Sequence, residues 1–353
     1  MLMILSLWQK ICLNTLAILS QHFQLRDVTY FPEYYLGNNT VKRNSKVVIS
    51  TKKYLKEVLR KYQDKLGALP KENLPLKPKE QPELDDSEFA NEEEHKEYQH
   101  IIGVRQWLVV SGRLDITHVV SSLSRFSAMP RVGHLKLARK IFGYLKKYPK
   151  RGYVINPTPL QLDLDYQKVD LKLDFGTQYS YFEEELDPRF PEPLLDELDL
   201  HVFCDADHGH DKVTGRSITG IMSVVGSTPV TWSSKRQAAV QTSTFGAEFT
   251  ALKKAVEEVT AIRYHMRSMG IMVSKSTPIL VDNMGVVLNA ANPGSTLNKK
   301  SVELAYYYVR EHVACGVIEI RKTDSEDNFA DPFTKALASP QFHGFMHECM
   351  VNG

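Results

Sequence analysis

The chain has 353 residues, a length that suits two or three domains at about 150 residues each. Hydrophobic residues make up 42% and charged residues 24%, ordinary proportions for a globular protein, which excludes a wholly disordered chain. With 44 basic and 42 acidic side chains the net charge is only +2, so a polyanion would have to be bound through local patches rather than bulk charge.

The opening stretch, MLMILSLWQKICLNTLAILS, is the segment nearest to a targeting signal. Lys10 interrupts it and no run of about 18 apolar residues follows, so a buried strand and helix is expected rather than a secretion signal or a membrane span. Cys12, Cys204, Cys315 and Cys349 lie far apart without a C-x-x-C pair, which fits neither a zinc knuckle nor a disulfide framework. A reducing, intracellular setting is the default, with no compartment specified.

Charge is segregated along the chain. Residues 80–97 carry nine acids and one lysine, with Pro78 and Pro82 nearby, and read as an exposed acidic linker. From Ile116 to Leu162 there is no acid, while Arg125, Arg131, Lys136, Arg139, Lys140, Lys146, Lys147, Lys150 and Arg151 supply bases. Within this segment Leu135, Ala138, Ile141, Phe142 and Leu145 recur at helical steps, with Lys136, Arg139, Lys140, Lys146 and Lys147 elsewhere on the wheel. Such a helix can lie along a phosphate backbone or simply present a solvated face. Residues 163–199 then hold twelve acids against three bases, and read as a second linker with two short alternating pieces, LDLDY and LKLDF, as edge strands.

After residue 199 the signals become dense. LHVFCDAD, SITGIMSVVG and PVTWSS read as three strands in meander order, separated by Gly226 and Pro229. Ser243 or Thr244 can cap a long helix whose apolar stripe runs from Ala251 to Met266, and Gly270 ends it. PILVDN reads as a strand, followed by a short helix, the helix in LNKKSVELAYYYVREHVAC, the strand VIEIRK and a final helix around NFADPFTKAL. The order βββαβααβα predicts an α/β sheet of mixed direction.

Four acids in this region occupy informative places: Asp205 and Asp282 end strands, and Glu248 and Asp331 lie near helix starts. If the first and fourth strands are neighbours, Asp205 and Asp282 are close. Four converging carboxylates repel, and hard divalent ions relieve that repulsion. Two such ions can hydrolyse a phosphodiester. Each acid taken singly reads first as a surface carboxylate at a strand end or helix N-terminus, so spacing alone only suggests the site.

The blocks CDADHGHDKVTGRSITG, TWSSKRQAAVQTSTFGAEFTAL, VDN and NFADPFTKAL, in this order, resemble the ribonuclease H domain of copia-type retrotransposon Pol polyproteins. The resemblance covers about residues 200–345. It implies an RNase H-like fold, with Asp205, Glu248, Asp282 and Asp331 as catalytic and metal-binding acids. Asp207 is typical of the family but ranks below these four. Two Mg²⁺ ions are the implied cofactor, with Mn²⁺ as an alternative. Upstream, YQHIIGVRQWLVVSGRLDITHVVSSLSRF and the basic helix resemble the segment between polymerase and ribonuclease H, and FQLRDVTYFPEYYLGN and KKYLKEVL resemble reverse transcriptase beyond its catalytic strand. The family's Tyr-x-Asp-Asp motif is absent, so no polymerase activity is expected, and the chain is read as a Pol piece without its polymerase half. Ser301 and Tyr307 stand where the family carries histidines, which bears on substrate positioning rather than on metal binding. His208 and His210 follow the CDAD block, and each is either a group near the scissile phosphate or a loop histidine without a role.

These readings divide the chain into a mainly helical reverse-transcriptase remnant (1–70), an acidic linker (71–97), a helical thumb- or connection-like segment (98–157), a second acidic linker (158–198) and a ribonuclease H-like domain (199–345). The implied activity is metal-dependent hydrolysis of the RNA strand of an RNA/DNA hybrid. Lys212, Arg216, Lys235 and Arg236, together with the basic helix, are candidates to hold the duplex, which is read by shape, phosphates and 2′-hydroxyls. An inactive retroelement relic that binds nucleic acid is the alternative. A transposase or integrase on the same fold fits less well, since no separate DNA-end-binding domain is visible. Residues 1–70 are expected to fold poorly alone, and proteolysis to leave a stable product beginning near residue 195.

Overall fold

The computed structural model describes residues 17, 20–24, 32–44, 46–66, 70–156, 158–160, 183–292, 295 and 302–352. The opening apolar segment through residue 16, the LDLDY and LKLDF pieces and the 300–301 pair lie outside the described residues. Among the described residues no helix is long and apolar enough to cross a membrane.

The upstream half begins with strands β1 (Tyr34–Tyr35), β2 (Asn38–Arg43) and β3 (Lys46–Ser50), followed by helix α1 (Lys52–Leu66). Helices α2 (Glu92–Val110), α3 (Thr117–Ser124) and α4 (Val132–Lys147) come next, then β4 (Arg151–Ile155). In α4 the apolar residues read from the sequence, Leu135, Ala138, Ile141, Phe142 and Leu145, are all buried. The downstream half runs β5 (Leu200–Asp207), β6 (Ile218–Val225), β7 (Thr228–Arg236), α5 (Thr244–Ser268), β8 (Thr277–Val281), α6 (Met284–Ala291), α7 (Glu303–Ala314) and β9 (Ile318–Lys322). A 3-10 turn (Asp331–Phe333), helix α8 (Ser339–Cys349) and β10 (Met350–Asn352) close the chain.

The downstream sheet has the order β7-β6-β5-β8-β9. β5, β6 and β7 form an antiparallel meander, and β8 and β9 join parallel to β5. Ser243 caps α5, its side chain accepting from the Gly246 amide at 3.2 Å, and Gly270 follows the helix with φ +70. Both ends therefore fall where the sequence placed them. One expectation shifts. The segment around NFADPFTKAL forms a single 3-10 turn, and the last helix begins at Ser339, with Pro340 in its first turn. Proline suits a first helical turn, whereas Pro332 sits in a turn that the Asn328 side chain holds by accepting from the Ala330 amide at 3.1 Å.

The upstream half also contains an element the sequence reading did not anticipate. Strands β1-β2-β3-β4-β10 form a second sheet, antiparallel throughout. Its last strand comes from the far end of the chain, so no local pattern could reveal it.

Alternation along β5 sets the layers. Val202, Cys204 and Ala206 pack with Ile279, Val281 and the α5 residues Ala251, Leu252 and Ala255. Phe203 points the other way and shares a core with Leu280, Met222, Phe333, and Ile101, Leu108 and Phe142 of the upstream helices. The upstream half is thus the second face of the ribonuclease-like sheet. Trp232 Nε1 donates to the Val109 carbonyl (3.2 Å) and Ser121 Oγ to the Ser234 carbonyl (2.6 Å) across that junction.

Both acidic stretches expected as exposed linkers are ordered and packed where described. In the first, Leu74, Leu76 and Pro82 are buried, and Asn91 caps α2 through a reciprocal capping box with Glu94. In the second, Leu195 is buried, Glu184 bonds Arg263 and Arg267, and Glu197 accepts from the Ser274 and Lys275 amides. The acids are held by basic groups and amides distant in sequence, which composition cannot disclose.

Candidate active site

The site is built where the sheet's central strands end. Val202 and Phe203 pair in parallel with Ile279 and Leu280, and continuing that register by two residues sets Asp205 beside Asp282. Alternation along β5 puts the Asp205 carboxylate on the face of Phe203, and Asp282 directly follows the last residue of β8. Glu248, in the first turns of the Ser243-capped helix, completes a trio: one ligand atom from each of Asp205, Glu248 and Asp282 lies within 4.8 Å of the other two. Among the described residues this is the one cluster of three or more such groups that close.

Asp331 arrives differently. Its turn lies against β6 because residue 220, opposite Asp205, is glycine. A Cβ there would come within 2.7 Å of both the Ala330 carbonyl oxygen and Thr334 Cγ2. Asp331 lies against Asp205 and forms an ion pair with Lys335 at 2.9 Å. The structure thus gathers Asp205, Glu248 and Asp282 as a trio and attaches Asp331 to its edge.

Residues the sequence reading did not single out surround these acids. Thr334 Oγ1 donates to Asp205 Oδ2. Ser325 Oγ donates to Asp282 Oδ2 at 2.9 Å. Asn328 Nδ2 donates to the Cys204 carbonyl at 3.1 Å, fixing the strand next to Asp205. Asp331, Thr334 and Lys335 are spaced as one helical turn, a signal present in the DPFTKAL block that could have marked all three.

The electrostatics are those of a pocket short of positive charge. Burial pushes the Glu248 carboxyl up to about 9, and Asp205 and Asp282 add to the rise. Burial followed by the Asp205 charge raises Asp331 to about 7. Asp205 is raised too, burial outweighing Lys335 and the Thr334 hydrogen bond. Glu248 Oε2 is buried without a hydrogen-bond partner, and a buried carboxylate oxygen left unpaired is costly. Convergent, underneutralised carboxylate oxygens are the donor set a hard divalent cation requires, so the residues present fit Mg²⁺ or Mn²⁺.

The remaining candidates fare unequally. Asp207 accepts from His210 Nδ1 at 2.7 Å and lies outside the trio. His208 Nε2 donates to the Gln241 carbonyl at 2.9 Å, so both loop histidines are tied into local contacts. Arg139 is doubly bonded to Glu97 (2.9 and 2.7 Å), and Lys140 pairs with Glu80. Arg236 is paired with Asp211 at 2.8 Å, as is Arg125 at 2.7 Å. Arg139, Lys140 and Arg236 thus each pair with an acid of the chain, which leaves less of their charge for a duplex. Lys147 bonds the Asn73 side chain but keeps its charge. Lys136, Lys146, Lys147, Lys212 and Lys235 are exposed, and Arg216 is half-buried. Tyr307 is exposed on α7, beside the buried Tyr306.

Strand order, strand directions and the acid-bearing strand ends together define an RNase H-like domain, here sharing a core with an upstream half. Among solved structures, an N-terminal RNase H domain from Mycobacterium tuberculosis is 12% identical with a TM-score of 0.32, the match covering 43% of this chain and 98% of that one. An LC11 RNase H1 solved in complex with an RNA/DNA hybrid is 13% identical with a TM-score of 0.31, covering 38% of this chain and 93% of that one. No protein-family model matches the chain.

In sequence the chain is similar to retrovirus-related Pol polyproteins of transposons. The polyprotein of transposon RE1 from Arabidopsis thaliana is 26% identical over 332 residues, covering 94% of this chain and 20% of the relative. A putative Ty5-1 transposon protein from Saccharomyces cerevisiae is 30% identical over 163 residues, covering 46% of this chain and 41% of the relative. The chain therefore spans about a fifth of the length of the RE1 polyprotein.

Proposed function

We propose that this protein is a divalent-metal-dependent ribonuclease H that hydrolyses the RNA strand of RNA/DNA hybrids. The observation that carries the reading is the three-acid cluster: oxygens of Asp205, Glu248 and Asp282 within 4.8 Å, one Glu248 oxygen buried and unpartnered. Asp205, Glu248 and Asp282 would hold the cation, with Asp331 at their margin. Bound divalent ions would supply charge neutralisation at the phosphodiester and an activated water. The chain's own residues do the rest. Strand ends fix Asp205 and Asp282, Thr334 orients Asp205, and Ser325 orients Asp282. Such supporting hydrogen bonds set the ligand geometry. The exposed lysines Lys212 and Lys235, with Lys136, Lys146 and Lys147 on α4, would meet backbone phosphates. The resemblance of four separate sequence blocks supports the choice of substrate. In this reading residues 199–345 form the nuclease unit and the upstream half supports it.

A second reading, an inactive relic that binds a hybrid without cutting it, is favoured by the exposed tyrosine at 307, where the sequence blocks lead one to expect histidine. The two separate in one assay. Incubated with labelled hybrid and Mg²⁺ or Mn²⁺, the wild type is expected to cleave, and Asp282→Asn to lose at least about 100-fold in rate. Binding without cleavage supports the relic, and equal cleavage by both proteins points to a contaminating nuclease.

A further inference from the structure

Four carboxylates meet at the site, and the chain itself brings one cation to them. Lys335 Nζ lies 2.9 Å from Asp331 Oδ1, and its charge also acts on Asp205 and Asp207. The pairing is built into the backbone: the Lys335 amide reaches back to the Asp331 carbonyl, and Thr334 Oγ1, whose hydrogen serves Asp205, lies 3.0 Å from that same carbonyl. Asp331 is buried, so its carboxylate has little recourse to water, and its two ties are Asp205 and Lys335. Asp205 and Asp282 each accept from a hydroxyl, of Thr334 and Ser325, but have no ammonium bonded to them, and Glu248 keeps its buried, unpartnered oxygen. The quartet is therefore unevenly neutralised. The trio has room for a first divalent ion, whereas Asp331 already holds a cation.

We propose that Lys335 occupies the place of a second cation at Asp331, so that the free protein binds one divalent ion in the Asp205–Glu248–Asp282 pocket and takes a second only when Lys335 releases Asp331. This rests on the metal-nuclease reading and adds to it a residue that sets ion stoichiometry. The Lys335 side chain is about 40% exposed, at the rim of an otherwise buried group, so its ammonium can leave for solvent or for a phosphate without unfolding the turn. Two like-charged cations close together repel strongly in a partly desolvated site, which makes the ammonium and a second divalent ion mutually exclusive.

The test needs no catalysis. Mn²⁺ binding to the full chain, without nucleic acid, is measured by calorimetry and by the electron paramagnetic resonance signal of the free ion. The wild type is expected to take one ion well before any second. Lys335→Met and Lys335→Gln are expected to bind the second ion about tenfold tighter or more, while Lys335→Arg, which keeps the charge, behaves as the wild type. Asp282→Asn is expected to lose the first ion in either background. The proposal is overturned if the wild type takes two ions of like affinity, if neither neutral variant tightens the second, or if Asp282→Asn leaves the first ion in place. A wild type that binds one ion in this pattern yet cuts no hybrid sinks the nuclease reading and leaves this one standing.

Discussion

Single residues decide whether the acids can meet. Gly220 is the clearest case, because only the absence of a side chain lets the Ala330–Thr334 turn lie on β6. Gly220→Ala must push a backbone carbonyl, so a loss of about 1–3 kcal/mol is expected in chemical denaturation. Cleavage should fall further than stability does, since the displaced turn carries Asp331 and Thr334. Asp211 matters to stability instead. Burial alone would raise its carboxyl, but hydrogen bonds from Arg236 and the Thr214 amide and the charge of Arg125 outweigh burial and hold it well below the usual carboxylate range. The folded state therefore binds the proton less readily than the unfolded chain. The stabilisation is fully present above the unfolded value of about 4 and is lost as pH falls below it. In wild type, stability measured by urea unfolding should decline from about pH 5 downwards. Asp211→Asn should start about 3 kcal/mol lower at pH 7 and show a flatter acid limb, because the titrating partner is gone.

At the scale of elements, the segregated charge of the sequence is an internal complement. The acidic stretch supplies Glu80 and Glu97 to Lys140 and Arg139 of α4, and Glu83 comes within 4.0 Å of Arg125. A helix can look like a nucleic-acid ridge on a wheel while two of its five bases face acids that no periodicity shows. This separates the bases into two sets. Lys136→Ala with Lys146→Ala is expected to weaken hybrid binding and reduce the salt slope by about 2, whereas Arg139→Ala with Lys140→Ala leaves that slope nearly unchanged. Fluorescence anisotropy across a salt series distinguishes them. Equal slopes for the two double variants would remove α4 from the proposed interface.

For the whole molecule the consequence is that the ribonuclease-like sheet is not independent. Phe203, Met222, Leu280 and Phe333 bury one face against the upstream helices, and β10 pairs with β4 across the length of the chain. The shared core argues against the sequence-based expectation of a stable proteolytic product starting near residue 195. A chain consisting of residues 195–353 is expected to melt well below the full-length protein and to bind a hydrophobic dye, because that face would be solvent-exposed. A cooperative transition at the full-length temperature would refute the shared-core account.

What the sequence determined by itself is local or block-like. The strand–helix order after residue 199, the Ser243 cap and Gly270 stop and the buried stripe of α4 follow from periodicity and capping chemistry, each encoded within a few residues, while the four acids were singled out by the resemblance of short sequence blocks. Tertiary structure alone decided which strands are neighbours, and therefore that Asp205 stands beside Asp282. It also decided that Asp331 answers to Lys335 rather than joining the trio, that acidic stretches cancel basic ones, and that the last strand completes the first sheet. These depend on pairings between groups tens to hundreds of residues apart. A chain's pattern records the faces that will be buried but not the partners that will bury them.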